Sequence, residues 1–99
     1  MIIKDKINKE ILKKPFIKAA ADIKKEVISI DCELHIDCAE ELIKNSSNND
    51  DIWGFNIYPD GELDFISLIN IRPSKGNRSM DIKNQEICVK IKTVVKKYL

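Results

Sequence analysis

The sequence is poor in the residues that mark specialised protein classes. Among its 99 residues are three glycines, three prolines, one tryptophan and one histidine. So little glycine and proline excludes a collagen-like or low-complexity chain. No apolar run approaches the length of a signal-peptide core or a membrane-spanning helix. We therefore expect a cytoplasmic protein with no membrane partner.

Cysteine is also scarce, and the chain contains Cys32, Cys38 and Cys88. An odd number without a secretory signal argues against a disulfide framework and favours buried free thiols in a reducing compartment. With His35, the first two cysteines form a C-x-x-H-x-x-C cluster, which Glu33 or Asp37 would have to complete as a four-ligand zinc site. The spacing of the cysteines is not that of a zinc ribbon, so we predict no metal and no cofactor.

The overall composition is that of an ordinary globular domain, with 43% hydrophobic and 33% charged residues. A chain of this length makes one domain, 1–99. The net charge of +1 argues against a dedicated nucleic-acid binder. The charges are nevertheless segregated, because residues 31–64 carry ten acidic side chains and one lysine, and both ends are basic. Either this asymmetry marks a surface for a partner, or the segments neutralise one another in the fold.

Hydrophobic spacing predicts three helices. Apolar residues recur three and four positions apart from Phe16 to Ile30, which indicates an amphipathic helix near 15–29 with Pro15 in its first turn. A helix near 84–98 has Asn84 as its N-cap. A third, short helix is expected near 38–44.

Two alternating runs predict a hairpin at 52–58/63–71, joined by a Pro-Asp-Gly turn. Within it, we expect Trp53 and Phe55 in the core and Tyr58 exposed; the alternative is a surface of aromatic residues that stack on nucleic-acid bases. The predicted fold is α+β: a small, largely antiparallel sheet centred on this hairpin and packed by the helices near 15–29, 38–44 and 84–98.

The loop between the hairpin and the last helix concentrates groups that bind anions. Guanidinium groups suit bidentate contact with phosphate, hydroxyl and amide groups add hydrogen bonds, and a glycine lets the backbone approach a ligand. The predicted anion site consists of Arg72, Ser74, Lys75, Gly76, Asn77, Arg78 and Ser79. No motif specifies a nucleotide. The alternative is that the arginines pair with the acidic segment 31–64, and that the serine and asparagine side chains satisfy their own turn.

His35 is the one candidate for a catalytic residue. On an extended segment, Glu33, His35 and Asp37 would share one side, and the carboxylates would orient the imidazole and favour its charged form. Such a histidine is a general acid or base. The alternative is a surface or hydrogen-bonded structural residue.

Several stretches together resemble a family of small prokaryotic proteins described only as a domain of unknown function. They are WGFNIYP at 53–59, SLINIRPSKGNRSM at 67–80, KAAADI at 18–23 and ELHID at 33–37. The resemblance covers about residue 16 to the end. It implies no activity or cofactor, but it points to the 72–80 loop and the His35 segment. Cys32, Cys38, Pro15 and the Asn84-Gln85 pair depart from the family pattern.

Three functions remain open from the sequence. The first is an anion- or phosphate-binding module, extended by lysines of the last helix toward a nucleic-acid backbone. The second is a small metal-independent phosphodiesterase or nuclease, with His35 as general acid/base and Arg72 and Arg78 stabilising the developing charge. This requires His35 to lie near the loop. The third is a structural or protein-interaction domain, in one version a homodimer.

Overall fold

A computed structural model describes the whole chain, Met1–Leu99, and its order of elements confirms the α+β class. The strands are β1 (Ile2–Ile3), β2 (Ile17–Asp22), β3 (Val27–Cys32), β4 (Ile52–Ile57) and β5 (Leu63–Asp64), and the helices are α1 (His35–Lys44) and α2 (Gln85–Lys96). The strands form one antiparallel sheet in the order β1-β3-β2-β4-β5. α1 packs on one face of this sheet and α2 on the other.

The region 15–29 is the largest correction, because the chain forms the β2–β3 hairpin there and not a helix. Both faces of β2 are buried: Ala19 and Ala21 belong to the larger core cluster, and Ala20 belongs to the smaller one. A strand covered on both sides loses its polar–apolar alternation, and its apolar residues then also match a three-four spacing. The β-branched residues of 27–30 favour a strand over a helix.

Asp22 makes the turn between β2 and β3. Its Oδ1 accepts hydrogen bonds from the backbone N–H groups of Lys24 and Lys25, at 2.9 Å each. Its Oδ2 accepts the hydroxyl of Ser47 at 2.6 Å. Glu26 then adopts a φ of 59° where the chain enters β3. An aspartate whose side chain accepts hydrogen bonds from the following backbone N–H groups is typical of a turn. This turn lies within the predicted helix 15–29, so that helix does not form.

The two sides of the sheet bury cores of unequal size. Fifteen buried residues form the larger core, to which α2 contributes Cys88, Ile91, Val94 and Val95. Five form the smaller core, which consists of Ala20, Cys38, Ala39, Leu42 and Ile52. Trp53 and Phe55 lie in the larger core as predicted, with 2% and 0% of their surface exposed. Tyr58 is 36% exposed, also as predicted.

The predicted hairpin at 52–58/63–71 is present, but its second strand ends after two residues. β5 pairs only Asn56 with Asp64 and Ile57 with Leu63. The chain then leaves the sheet and forms a 3₁₀ turn at Leu68–Asn70. The alternating residues 65–71 are therefore not a strand, which corrects the sequence prediction.

The start of α1 also differs from the prediction, because the helix begins at His35 and not at residue 38. Asp37 lies inside the first turn, where its Oδ2 accepts the backbone N–H of Leu34 at 3.2 Å. The carboxylate thus caps the helix from its third position. Because the segment 33–37 is not extended, its two acidic side chains do not share one side with the imidazole.

α2 lies close to its predicted place, and Asn84 is its N-cap: the side-chain oxygen accepts the backbone N–H of Glu86 at 2.9 Å. Neither helix is long and apolar enough to cross a membrane.

Candidate functional site

The polar loop that the sequence marks as an anion site folds back on itself. Arg72 and Asn77 form an isolated two-way bridge, in which each backbone N–H donates to the other residue's carbonyl, at 2.6 and 3.0 Å. Between them lies the 3₁₀ turn Pro73–Lys75, which ends at Gly76 with a φ of 77°. That left-handed conformation explains the glycine without any ligand.

The side chain of Arg72 makes its contacts within the fold. Its guanidinium lies 5.1 Å from the centre of the Trp53 ring, its Nη1 donates to the carbonyl of Asn49 at 2.7 Å, and its Nε donates to that of Ile69 at 3.2 Å. Burial lowers the pKa of Arg72, and the carboxylates at 50–51 oppose that shift. Arg72 thus contacts the acidic middle segment through a backbone carbonyl and the Trp53 ring, but it takes part in none of the four ion pairs of the protein.

Asn77 also serves the fold, since only 4% of its surface is exposed. Its Nδ2 donates to the carbonyls of Asn70, Asp81 and Ser79 at 2.7, 2.9 and 3.0 Å. Its Oδ1 accepts the backbone N–H of Lys83 at 2.9 Å. The loop is therefore tied to its own continuation by one amide side chain.

The rest of the predicted anion site lies at the surface. Ser79 donates its hydroxyl to the carbonyl of Asp81 at 3.1 Å, and Ser74 is exposed. Lys75 and Arg78 are exposed, and neither takes part in any of the four ion pairs of the protein. The side chains of Lys75 and Arg78 are therefore free to contact an anion. Arg72 and Asn77, which the sequence predicts in the same anion site, make their contacts within the fold.

His35 occupies the first position of α1 and is half-buried. Its Nε2 lies 2.8 Å from Oδ1 of Asn56 and 3.1 Å from the carbonyl of Phe55. Both neighbours are acceptors, so Nε2 carries the proton and donates. Burial lowers the pKa of His35 from 6.5; the two hydrogen bonds oppose this shift but do not reverse it. Burial therefore favours the neutral imidazole, in which Nδ1 carries no proton.

A groove opens beside this histidine, and we call it the His35 groove. It lies between the first turn of α1 and the chain around Leu68, and its volume is about 380 Å³. Its apolar lining residues that are more than a third exposed are Phe16, Leu34, Ile36, Ile66, Leu68 and Met80. Its polar lining residues are Lys18, His35, Asn56 and Ser67.

The register of the sheet places the polar groups in this groove. Lys18 of β2 is the cross-strand partner of Asn56 of β4, and both point to the α1 face, two residues from Ala20 and Gly54. The ammonium of Lys18 donates to the carbonyl of Glu33 at 2.9 Å. The Lys18–Asn56 pair thus lies beside the first turn of α1, where His35 bonds to Asn56.

The groove brings together only one of the predicted site residues. His35 lines it, but no arginine does, and Arg72 lies with Trp53 and Asn49. Glu33 and Asp37 are exposed and are not among its lining residues. The condition set for the phosphodiesterase hypothesis, a histidine near the loop arginines, is not supported by this geometry.

The cysteines correct another prediction, because Cys32 and Cys38 are joined in a disulfide. They link the end of β3 to the first turns of α1. Cys88 is a free, buried thiol, as predicted, and burial raises its pKa. Glu41 lies close to the disulfide, 3.5 Å from the sulfur of Cys32. The imidazole of His35 binds Asn56, so C-x-x-H-x-x-C does not form a single cluster.

Sequence reasoning missed the apolar half of the groove. The sequence predicts Ile66 and Leu68 within the second strand of the hairpin, yet Ile66, Leu68 and Met80 are 37%, 71% and 40% exposed. The sequence does contain a signal for these residues, because apolar side chains occur at both odd and even positions of 65–71. A strand of two residues is not able to bury them all. Which of them stay exposed depends on where β5 ends.

The motifs at 53–59 and 67–80 therefore occupy β4, its edge and the loop packed on it. A family model described as "Protein of unknown function (DUF5674)" matches residues 1–98. The chain belongs to this family. The match includes the stretch from residue 16 onward that carries the resemblance, and it extends through Pro15 to the N-terminal residues. No curated protein and no solved structure matches the chain.

Proposed function

We propose that this protein is a binding module that holds an apolar, carboxylate-bearing segment of a protein partner in the His35 groove. The observation that carries the proposal is the cluster of six large, exposed apolar side chains around one concave site. Single exposed apolar residues are normal on a protein surface, whereas a contiguous set around a groove marks an interaction site. A volume of about 380 Å³ is within the range of binding pockets.

The polar groups of the groove decide the chemistry of the occupant. Lys18 is its only charged lining residue, and no carboxylate lines it. The Nδ2 of Asn56 donates no hydrogen bond within the chain, and Nδ1 of His35 accepts none. The groove thus offers an ammonium and an amide as donors for a carboxylate, and an imidazole nitrogen as acceptor for a peptide N–H.

A peptide-display selection tests this proposal directly. We expect the selected peptides to combine at least two large apolar residues with an acidic residue. Leu68→Asp should weaken their binding at least about tenfold, because it places a carboxylate in the apolar lining. Leu68 is 71% exposed, so the change leaves the core untouched.

Val89→Asp is the matched control, since Val89 is a 59%-exposed apolar residue of α2 outside the groove. Equal loss of binding in both variants would contradict the proposal. The proposal would also be contradicted if the selected peptides bound Leu68→Asp with the same affinity as the unchanged protein. Loss of peptide binding through self-association of the protein would favour the homodimer in its place.

The anion-binding loop is a second candidate, favoured by the free, exposed cations of Lys75 and Arg78. If the loop binds a nucleic-acid backbone, Arg78→Ala should weaken binding of short single-stranded RNA and reduce the slope of log K against log salt by about 0.7. Lys9→Ala, at an exposed cation outside both the loop and α2 that takes part in no ion pair, is the control. An unchanged salt slope in Arg78→Ala would remove this candidate.

The cytoplasmic location stays a proposal as well. The free thiol of Cys88 supports it, whereas the Cys32–Cys38 disulfide counts against it, because disulfides are rare in cytosolic proteins.

A further inference from the structure

We propose that Cys32 and Cys38 form a reversible thiol–disulfide site, opened by small thiols of the glutathione class and closed by the disulfides of those thiols, and that its state sets the affinity of the His35 groove. The effect on affinity rests on the proposed function. The exchange chemistry does not, because it follows from the surroundings of the two sulfurs.

The two sulfurs differ in access. Cys32, at the end of β3, is partly exposed, whereas Cys38 is 0% exposed within the smaller core. An attacking thiolate therefore reaches Cys32 first. Disulfides that are exposed are the labile ones, whereas fully buried ones resist exchange.

The electrostatic surroundings of the two sulfurs have opposing effects on thiolate formation. Cys38 lies at the fourth position of α1, near the positive end of the helix dipole, which stabilises a thiolate. At Cys32, the carboxylate of Glu41 at 3.5 Å and the ammonium of Met1 at 3.8 Å have opposite effects on a thiolate, and the two groups form an ion pair with each other. Burial of Cys38 in the smaller core opposes the effect of the helix dipole, so access is what makes Cys32 the site of attack.

The reaction balances as follows. A small thiolate forms a bond to Sγ of Cys32, the Sγ–Sγ bond breaks, and its electron pair leaves on Sγ of Cys38, which takes up a proton. A second small thiolate then attacks the sulfur of the first, releases Cys32 as a thiolate that is protonated in turn, and leaves as the small-molecule disulfide. The protein gains two electrons and two protons, and the two small thiols are oxidised.

The fold survives this opening, but the groove changes. Cys38 stays in the smaller core through its contacts with Ala39, Leu42 and their neighbours. The segment 33–37, enclosed between the cysteines, carries three residues that line the groove: Leu34, His35 and Ile36. Opening the disulfide frees one covalent anchor of this wall and raises the ordering cost of binding.

Single-cysteine variants test the exchange. After treatment of the folded protein with oxidised glutathione, Cys38→Ser should carry glutathione on Cys32. Cys32→Ser should react at its buried Cys38 at least about tenfold more slowly. Cys88 is the internal control in both, since it is 5% exposed and should stay unmodified. Equal rates at Cys32 and Cys38 would overturn the proposed direction.

The unchanged protein gives a readout that does not depend on a variant folding. Millimolar reduced glutathione under native conditions should open the disulfide, so that alkylation of the folded protein labels Cys32, whereas the buried Cys38 and Cys88 should stay unlabelled. A disulfide that stays closed would overturn reversibility. Reduced protein should bind the display-selected peptides at least about threefold more weakly. Equal affinity in both states, with exchange intact, would overturn the effect on the groove, while failure of all peptide binding would contradict the proposed function alone.

Discussion

At the scale of single residues, His35 shows how position decides chemistry. Its imidazole is held by Asn56 and the carbonyl of Phe55, in surroundings that lower its pKa mainly by desolvation, while nearby Lys18 adds to the shift and Asp64 opposes it. A neutral ring with one proton already donated is suited to orienting a bound peptide. The expectation of an imidazole charged by Glu33 and Asp37 fails because the helix begins at the histidine itself.

This lowered pKa predicts a pH dependence of stability. The unfolded chain binds a proton at His35 near pH 6.5, and the folded protein binds it only at lower pH. Just below pH 6.5, the unfolded protein therefore binds more protons than the folded protein does. The free energy of unfolding should fall as the pH drops through that region, and above pH 6.5 His35 should cause no such loss. Urea unfolding at a series of pH values measures this slope.

His35→Gln provides the comparison, because glutamine keeps a donor for Asn56 and does not titrate. The variant should lose the part of the slope that begins near pH 6.5 and keep the part at lower pH that belongs to carboxylates. Parallel curves for the two proteins would contradict a lowered pKa at this position.

At the scale of elements, the edge of β4 is completed by a side chain in place of a strand. The amide of Asn70 donates to the carbonyl of Gly54 at 2.9 Å and accepts its N–H at 2.8 Å. The close approach requires glycine, since a Cβ at Gly54 would lie 2.7 Å from the Cβ of Ser67. This arrangement ends the sheet after β5 and directs Leu68 outward into the groove.

Asn70→Ala should therefore lower the free energy of unfolding by about 3 kcal/mol, because it leaves a buried N–H and carbonyl of Gly54 without partners. Denaturant unfolding measures the loss. Ser74→Ala, at an exposed position of the same loop, should change stability by less than about 0.5 kcal/mol. A loss below about 1 kcal/mol in Asn70→Ala would show that water replaces the amide.

The elements also show what the sequence was able to predict. α2 and its Asn84 cap, the buried Trp53 and Phe55, and the class of the fold follow from local rules of periodicity, capping and turn chemistry. β2 and β3 do not, because burial on both faces removes the alternation by which strands are recognised. The disulfide is a matter of distance in space, and its two cysteines meet only because β3 ends beside the first turns of α1.

At the scale of the whole molecule, the polar 72–80 loop and the His35 groove are two different surfaces. Arg72 and Asn77, the residues that made the 72–80 loop resemble an anion site, hold the loop to Trp53 and to its own backbone. The groove arises where β4, the start of α1 and the chain after β5 meet. The groove is not formed by any one continuous stretch of sequence. His35 is therefore the only one of its lining residues that the sequence predicts as a site residue.

The charge segregation is only partly absorbed by the fold. Two of the four ion pairs join the basic N-terminal third to the acidic middle, at Lys14–Asp31 and between the Met1 ammonium and Glu41. The other two lie among the basic segments, at Lys13–Glu10 and Lys97–Glu26. Most charges are therefore left at the surface, where salt screens them, and the free cations remain available to an acidic partner.

The most direct test of the account is an amide chemical-shift titration of the oxidised protein with a display-selected acidic, apolar peptide. We expect saturable shifts at 34–36, 66–68 and Met80, lost in Leu68→Asp and kept in Val89→Asp. Shifts confined to 74–78 would contradict the account and assign recognition to the loop cations. The absence of any saturable shift would contradict it as well, because the exposed apolar groove would then bind no such segment.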